Sequence, residues 1–535
     1  MAGEPPTYDH VIIGSGFGGS VSALRLSEKG YRVLVLEKGR WFNKPNDFPR
    51  SNWDLRRWLW APKLGWRGLF KMTFFRHVTV LSGTGVGGGS LVYANTLPVP
   101  RTPFFRSGSW KDLCDWESEL RPYYTLAKRM LGAERHPYTS HSDQVMRDLA
   151  ADMGIPERYD TVDAAVYFGT PGVTVKDPYF DGKGPDRTGC IQCGACMLGC
   201  RHNAKNTLDK NYLHLAQQQG CTVEAEAEVV DIQPLSPDGN EGYRIRYRDP
   251  SAWFPRTRTV TAKGVVFAGG VMGTLPLLLK LKQRNLPHLS DTLGHGVRTN
   301  SESLIGVTTY NRDVTFSEGI AIGSVVQLDE HCHVEPVKYP PGNGAWRLLM
   351  APMVEGRAWW QRLVNMLMLT FKEPANYLRT FFVDDWSKRT HILLYMESID
   401  STLRMRRGRS GGMGSSMEQG QSPTAFNPQA HEIAKRVEGI VNGKAMVLLQ
   451  ETLLGIPTTA HILGGACMGA DASTGVVDRD NRVFGYANMW VCDGSAISAN
   501  PGVNPSLTIT ALAERAMAQV PARTDKNDRR STPTL

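Results

Sequence analysis

Along the first forty residues the apolar positions come in two short blocks with a helical rhythm between them. Val11, Ile12 and Ile13 predict a buried strand, residues 20–29 an amphipathic helix, and residues 32–36 a second buried strand ending in Glu37. Further on, Thr222 to Ile232 predicts a strand, and residues 264–280 (GVVFAGGVMGTLPLLLK) repeat the strand, glycine turn, helix pattern. From about Asn300 the rhythm changes to alternation, with strands expected at 303–310, 320–328, 333–339 and 391–398. Residues 118–131 carry helical spacing, and so do residues 359–371, where Trp359, Leu363, Met366, Leu367 and Phe371 recur beside Arg357, Arg362 and Lys372. That second stretch is either a core helix or a lid-like helix leaning on a membrane surface. Residues 404–428, rich in Gly and Ser, predict a low-complexity loop.

Glycine changes the meaning of the first unit. Gly14-Ser15-Gly16-Phe17-Gly18-Gly19 joins strand to helix. In this pattern Gly14 makes the tight turn, Gly16 lets backbone approach a pyrophosphate, and Gly19 lets the helix pack on the strand. The helix start supplies free N–H groups for phosphate oxygens. Glu37 is placed to accept from a ribose 2′-hydroxyl, which argues against NADP. A second glycine-rich stretch, residues 82–95 (SGTGVGGGSLVYAN), cannot be the interior of a helix or strand and suits backbone lying flat on a large planar ligand.

Length and charge narrow the picture only slightly. At 535 residues the chain exceeds one simple core, and 41% hydrophobic and 21% charged residues describe an ordinary globular protein. A net charge of +9 includes a basic run at 403–409. No nucleic-acid motif accompanies it, so nucleic acid is not an expected partner. No apolar run is long enough for a transmembrane span, and the short N-terminus leaves no room for a secretory signal. The expected location is the cytoplasm, with peripheral contact at a membrane surface left open. Residues 53–78 interleave four tryptophans, 53, 58, 60 and 66, with arginine and lysine. They read either as side chains packed on the domain or as a face for lipid headgroups.

Four of nine cysteines fall in eleven residues: Cys190, Cys193, Cys196 and Cys200. The spacing C-x2-C-x2-C-x3-C is that of a bacterial iron–sulfur run, yet no second cysteine set and no following proline accompany it. An iron–sulfur cluster, structural cysteines (reduced or disulfide-paired) and another metal stay open.

The first Rossmann unit followed by GTGVGGGSLVYAN resembles the glucose–methanol–choline (GMC) family of FAD-dependent alcohol oxidoreductases, and the likeness covers nearly the whole chain. It extends to residues 458–469 (TTAHILGGACMG), to Asp493-Gly494, and to residues 502–515 (GVNPSLTITALAER), where a helix is expected after Pro505. Within the family it is nearest to the cysteine-containing actinobacterial cholesterol oxidase group, with residues 301–307 (SESLIGV) and 333–340 (HVEPVKYP) included. The resemblance implies an FAD domain of discontinuous segments, 1–100, 200–300 and 455–522. An antiparallel substrate domain of 101–199 and 301–454 is inserted, and residues 523–535 form a flexible tail. It also implies a helix at residues 203–216 leading to the adenine-side strand.

The implied chemistry is oxidation of an alcohol, foremost a sterol 3β-hydroxyl, with hydride passing to flavin N5. The alternative is a long-chain alcohol or natural-product hydroxyl with an acceptor other than oxygen. The implied catalytic pair is His461 and Asn504. The implied FAD contacts are Gly14, Gly16, Gly19, Glu37, Gly83, Gly88, Ser90, Asn95, the Val229 backbone, Asp493 and Gly494, with Tyr93 near the flavin edge. Histidine's ordinary pKa of about 6.5 suits it to move a hydroxyl proton near neutral pH. A carboxylate able to isomerise a steroid double bond is not singled out; Glu335, Asp385 and Glu397 are the acids nearby.

Overall fold

The computed structural model describes residues 7–356, 358–399, 401–408, 411–420 and 427–524. Two seven-stranded sheets organise it. The first is the nucleotide sheet. Thr7–Ile13 lies at its centre, parallel to Val33–Leu36 on one side and to Arg258–Phe267 on the other. Thr222–Glu224 extends the parallel part beyond Val33–Leu36, and Met489–Val491 pairs in parallel with Arg258–Phe267. Tyr243–Arg248 and Glu228–Pro234 continue the sheet antiparallel. Val11, Ile12 and Val33–Leu36 are almost wholly inaccessible to solvent, as strands covered on both faces must be. Helix Phe17–Glu28 packs against the terminal helix Ser506–Ala518 and is tied to it by Arg25 on Glu514, 2.7 Å.

The second sheet is antiparallel throughout, in the order Met350–Pro352, Gly443–Leu448, Ser303–Thr309, Thr390–Glu397, Cys332–Val337, Ser324–Gln327 and Tyr159–Thr161. The strands expected from alternation are all present, within a few residues at their ends. A small third sheet links the two regions: Thr79–Gly83 pairs antiparallel with Phe70–Phe74 and parallel with Thr458–Thr459. It sets the glycine-rich stretch and His461 beside one another, although nearly 380 positions separate them in sequence.

Two expectations need correction and two open readings are narrowed. Residues 203–216 are not one helix: a single turn at Leu208–Lys210 precedes a short helix, Tyr212–Gln218, because Asn203 and Lys205 are committed to side-chain bonds with Arg187 and with loop carbonyls. The Gly/Ser-rich stretch forms a hairpin, Thr402–Arg407 against Met413–Gln419, whose inward Leu403 and Met405 are buried in the core of the first sheet; residues 409–410 and 421–426 lie outside the described residues. Helix Trp359–Lys372 is no core helix, since none of its residues is buried; Arg357 lies outside the described residues. Of the four early tryptophans, Trp58 alone is buried, stacked on Phe70 at 5.3 Å and edge-on to Trp346 at 5.4 Å, while Trp53 is exposed.

The cysteine run shows no metal-binding group. Among the described residues no three Cys, His, Asp or Glu side chains converge to hold a metal, and all nine cysteines are free. Burial raises the pKa of Cys190 and Cys193 and takes Cys196 up to about 11. The segment is bound instead to the glycine-rich loop through buried Lys205, which donates to the carbonyls of Leu91, Tyr93 and Cys196 at 3.0, 2.9 and 2.8 Å. Among the described residues no helix is long and apolar enough to cross a membrane.

Candidate active site

One continuous cavity of about 840 Å³ runs from the ends of the parallel strands to the inner face of the antiparallel sheet. Its first half is backbone. Gly14, with φ +100°, makes the turn; a Cβ there would fall 2.5 Å from the Ala268 carbonyl oxygen. Gly16 has open space where a side chain would be, the nearest atom lying 3.9 Å away, so the groove admits a ligand against its backbone. Gly19 does not line the cavity. A Cβ on it would meet the Gly14 carbonyl oxygen at 2.1 Å, so it is the helix-packing glycine the pattern called for. Gly88 closes over the same turn, its missing Cβ leaving room for Gly16 at 2.7 Å.

The other groove residues are placed as follows. Glu37 lines the cavity, buried, with its carboxylate accepting from the Ser15 hydroxyl at 2.8 Å and the Gly39 N–H at 2.8 Å. Gly83, Tyr93, Val229, Asp493 and Gly494 also line it, and so does the helix start Gly270-Val271-Met272 of the second strand, glycine turn, helix unit. Asp493 accepts from Thr274 and from the Ser495 N–H at 2.8 Å, and burial raises its pKa. Ser90 does not line the cavity; its hydroxyl holds the loop together, donating to the Gly87 carbonyl at 2.7 Å and accepting from the Leu208 N–H at 3.1 Å. Asn95 is fully buried behind the lining, with φ +73° and with neither amide atom partnered among the described residues.

A glycine cradle open at Gly16, an acid at the end of the second strand and a helix start facing the groove fit an FAD dinucleotide lying across the parallel strands. The buried, unpartnered amide of Asn95 beside Ala94 and Thr96, which do line the cavity, is consistent with a polar group reaching it from there.

The second half of the cavity is an apolar chamber. Leu304, Val337, Ile392 and Leu394 line it from the antiparallel sheet, with Trp346 and Trp386 beside them. Polar side chains gather where chamber and groove meet. His461 follows the short strand Thr458–Thr459, and its Nδ1 lies 2.7 Å from Glu302 Oε1. Glu302 is buried and also accepts from the Thr459 hydroxyl at 2.7 Å and the Ala460 N–H at 3.1 Å. Burial pulls the His461 pKa down, but Glu302, reinforced by Glu335, outweighs it and leaves the pKa raised. Asn504 stands just before the terminal helix, and with its NH2 turned to Glu335 it donates to both carboxylate oxygens at 3.2 Å. Asn300 fixes the same loop by donating to the Val503 carbonyl at 2.8 Å.

The three acids left undecided separate clearly. Asp385 caps a short helix, accepting from the Ser387 N–H at 3.2 Å, and Glu397 accepts from Asn427 at 3.0 Å. Glu335 alone stands at the site, behind Asn504. Glu302 was missed, although a lone acid immediately ahead of the apolar strand Ser303–Thr309 is a signal that could have found it.

Such a site defines a dinucleotide-binding oxidoreductase with a histidine at the mouth of an apolar pocket. Comparison with known proteins agrees. The chain matches the GMC oxidoreductase family over residues 184–283 and 422–513, and an NAD(P)-binding Rossmann-like domain over residues 12–42. It is 43% identical over 529 residues to a cholesterol oxidase of Acinetobacter baumannii, covering 96% of this chain and 95% of that one. It is 44% identical over 546 residues to a cholesterol oxidase of Mycobacterium tuberculosis, covering 98% and 93%. Pyridoxine 4-oxidase of Mesorbium loti shares the fold, with a TM-score of 0.61 at 13% identity over 96% of this chain and 98% of that one. The chain belongs to the GMC oxidoreductase family and is an FAD-dependent alcohol oxidoreductase.

Proposed function

We propose that the protein oxidises the 3β-hydroxyl of a sterol to the ketone. The observation that carries this reading is the shape of the cavity: a broad chamber with apolar walls, ending in one polar cluster, His461, Asn504 and Glu302, where it joins the cofactor groove. A rigid, apolar molecule bearing a single hydroxyl satisfies both ends. The two cholesterol oxidases quoted above support the same substrate class.

FAD, when bound, supplies the acceptor for the hydride that leaves the carbinol carbon. The remaining work falls to the chain. With Nδ1 engaged by Glu302, the His461 ring presents Nε2 to the substrate oxygen and takes the hydroxyl proton there. Asn504, anchored by Glu335, fixes the oxygen beside it. The start of the terminal helix, at Pro505-Ser506, lies on the cavity wall, and its positive dipole end would favour negative charge developing on a group held there. The apolar walls exclude water from the reacting carbon. We place the cofactor-binding part in residues 1–100, 200–300 and 455–522 and the chamber in 301–454 with most of 101–199. Helix Trp116–Met130 joins the cofactor part, because it packs on the terminal helix.

Anaerobic titration with cholesterol tests the reading. Bleaching of the visible flavin absorbance in proportion to added sterol is the expected result. A flavin that stays oxidised with sterols but bleaches with long-chain primary alcohols would replace the substrate. The second substrate class is supported by relatives such as a long-chain-alcohol oxidase of Arabidopsis thaliana 23% identical over 94% of this chain and 66% of that one.

A further inference from the structure

The outer side of the chamber carries an apolar face that the molecule leaves uncovered. Helix Trp359–Lys372 and helix Pro374–Phe381 follow one another and pack on the edge of the antiparallel sheet, the first on strand Met350–Pro352 and the second on strand Gly443–Leu448. Their outward side chains are large and apolar: Trp359 is 61% exposed, Trp360 55%, Met368 57%, Phe371 80%, Leu378 58% and Phe382 74%. Single exposed apolar residues are ordinary, but five large apolar side chains on two adjoining short helices, with Phe382 directly after the second, put an unusual amount of apolar surface in one place.

The charges around this face are selective. Its carboxylates are neutralised within the molecule, Glu373 by Lys444 at 2.7 Å and Glu355 by Lys435 at 3.4 Å. Lys372 and Arg379 are exposed and have no carboxylate partner among the described residues. An apolar face with tryptophans at one end and two exposed cations matches the interfacial layer of an anionic bilayer, where indole rings settle at headgroup depth and lysine and arginine meet phosphate. It matches a second copy of itself less well, because a two-fold contact would set like charges on one small apolar area with no acid to answer them. Neither helix is long enough to cross a bilayer, so the face can only lie in its surface.

The same edge strands connect the face to the site. Met350 and Leu448, on the two strands beneath the helices, line the chamber from inside. A single layer of structure therefore separates the exposed face from the apolar cavity. We propose that the helix pair Trp359–Lys372 and Pro374–Phe381 docks the protein on an anionic phospholipid bilayer and seats the chamber over the lipid from which its substrate is drawn. The docking stands on the surface alone; only the last clause rests on the sterol reading.

The test uses the full-length, flavin-loaded protein and sterol-free vesicles, so that binding is read without turnover. Co-sedimentation is measured with vesicles of phosphatidylcholine alone and of phosphatidylcholine with phosphatidylglycerol. The expected result is binding that phosphatidylglycerol strengthens and salt weakens. The double variant Met368→Glu, Phe371→Glu is expected to lower the bound-to-free ratio by about tenfold or more, since two large apolar contacts are lost. It should keep its flavin and its rate on detergent-solubilised sterol. The double variant Lys372→Glu, Arg379→Glu, which changes no apolar contact, should lose only the phosphatidylglycerol-dependent part.

Absence of vesicle binding would overturn the docking, as would binding equal in all three proteins. A wild-type dimer in sedimentation velocity that the Met368→Glu, Phe371→Glu variant makes monomeric, with no vesicle binding by either, would assign the face to a second copy. Vesicle binding as expected, together with a flavin that sterols fail to reduce, would leave the docking intact and remove the sterol.

Discussion

The two halves of the cavity are built by different means. The cofactor groove is made of main chain: glycines at 14, 16 and 88 bring backbone to its surface, and its shape depends on the absence of side chains. The chamber and its polar mouth are made of side chains carried by strands remote in sequence, with Glu302, Glu335, His461 and Asn504 coming from four separate segments. A backbone site tolerates no added atom but needs little help from the rest of the fold. A side-chain site tolerates changes in its walls, yet fails when one partner of a buried pair is removed.

The largest expected effect tests the first half. Gly14→Ala would force a Cβ to within 2.5 Å of the Ala268 carbonyl at φ +100°, so the protein should be recovered without flavin or not at all. Gly16→Ala meets no such obstacle in the protein, and its product should fold, with lowered flavin content. The ratio of flavin to protein absorbance, with circular dichroism as the check on folding, separates the two. Equal outcomes would remove the distinction between a packing glycine and a ligand-facing one.

Next in size is His461→Ala. Loss of the proton acceptor is expected to lower kcat by roughly 10²- to 10⁴-fold while flavin content and melting temperature stay near those of the wild type. Unchanged turnover would withdraw the role given to His461.

Glu302→Gln should have a smaller effect on rate, about ten- to a hundredfold in kcat/KM, with a diagnostic pH profile. In the wild type Glu302 raises the His461 pKa, so the base is free only at higher pH and kcat/KM should climb along a limb centred above pH 6.5. Removing the charge should move that limb to lower pH. A limb that stays in place would show that Glu302 merely packs. The same pair bears on stability: the raised histidine contributes stability that is full below its unfolded pKa of about 6.5 and is lost as pH rises through the folded value.

The smallest effect on turnover belongs to Glu451, one layer behind. It is buried, accepts from the Thr458 N–H at 3.1 Å, and its pKa is pushed up to about 8, first by burial and then by the Glu302 charge. A raised carboxyl favours the folded state while it is neutral, so this contribution is full below about pH 4.5 and declines until about pH 8. Glu451→Gln should keep most activity and flatten the fall in melting temperature between pH 5 and 8. An unaltered pH dependence would show that Glu451 ionises without cost in the fold.

Local pattern made much of this legible beforehand, for reasons visible in particular residues. The turn at Gly14 to Gly19, the strand ending at Glu37 and the alternating strands of the second sheet depend on neighbours a few positions away, so their spacing announces them. His461 and Asn504 were readable through the resemblance of their flanking segments. Lys205 was not legible, because its use as a clamp on the Leu91 and Tyr93 carbonyls depends on a loop more than a hundred positions away. The cysteine spacing suggested a cluster, but spacing constrains ligands without making their side chains converge, and no metal-binding group forms among the described residues. Helical periodicity in residues 359–371 announced a helix and one apolar face but could not say whether anything covers that face.

By itself, then, the amino-acid order determined the strand–glycine–helix groove and the class of the sheets, because each is encoded over short distances by backbone freedom and side-chain alternation; the histidine at the site was legible only through the resemblance of its flanks. Only the tertiary structure decided that Glu302 meets His461, that Asn504 leans on Glu335, and that the apolar helix pair faces outward over the chamber. Those depend on which remote strands become neighbours, and that is settled by the packing of the whole chain.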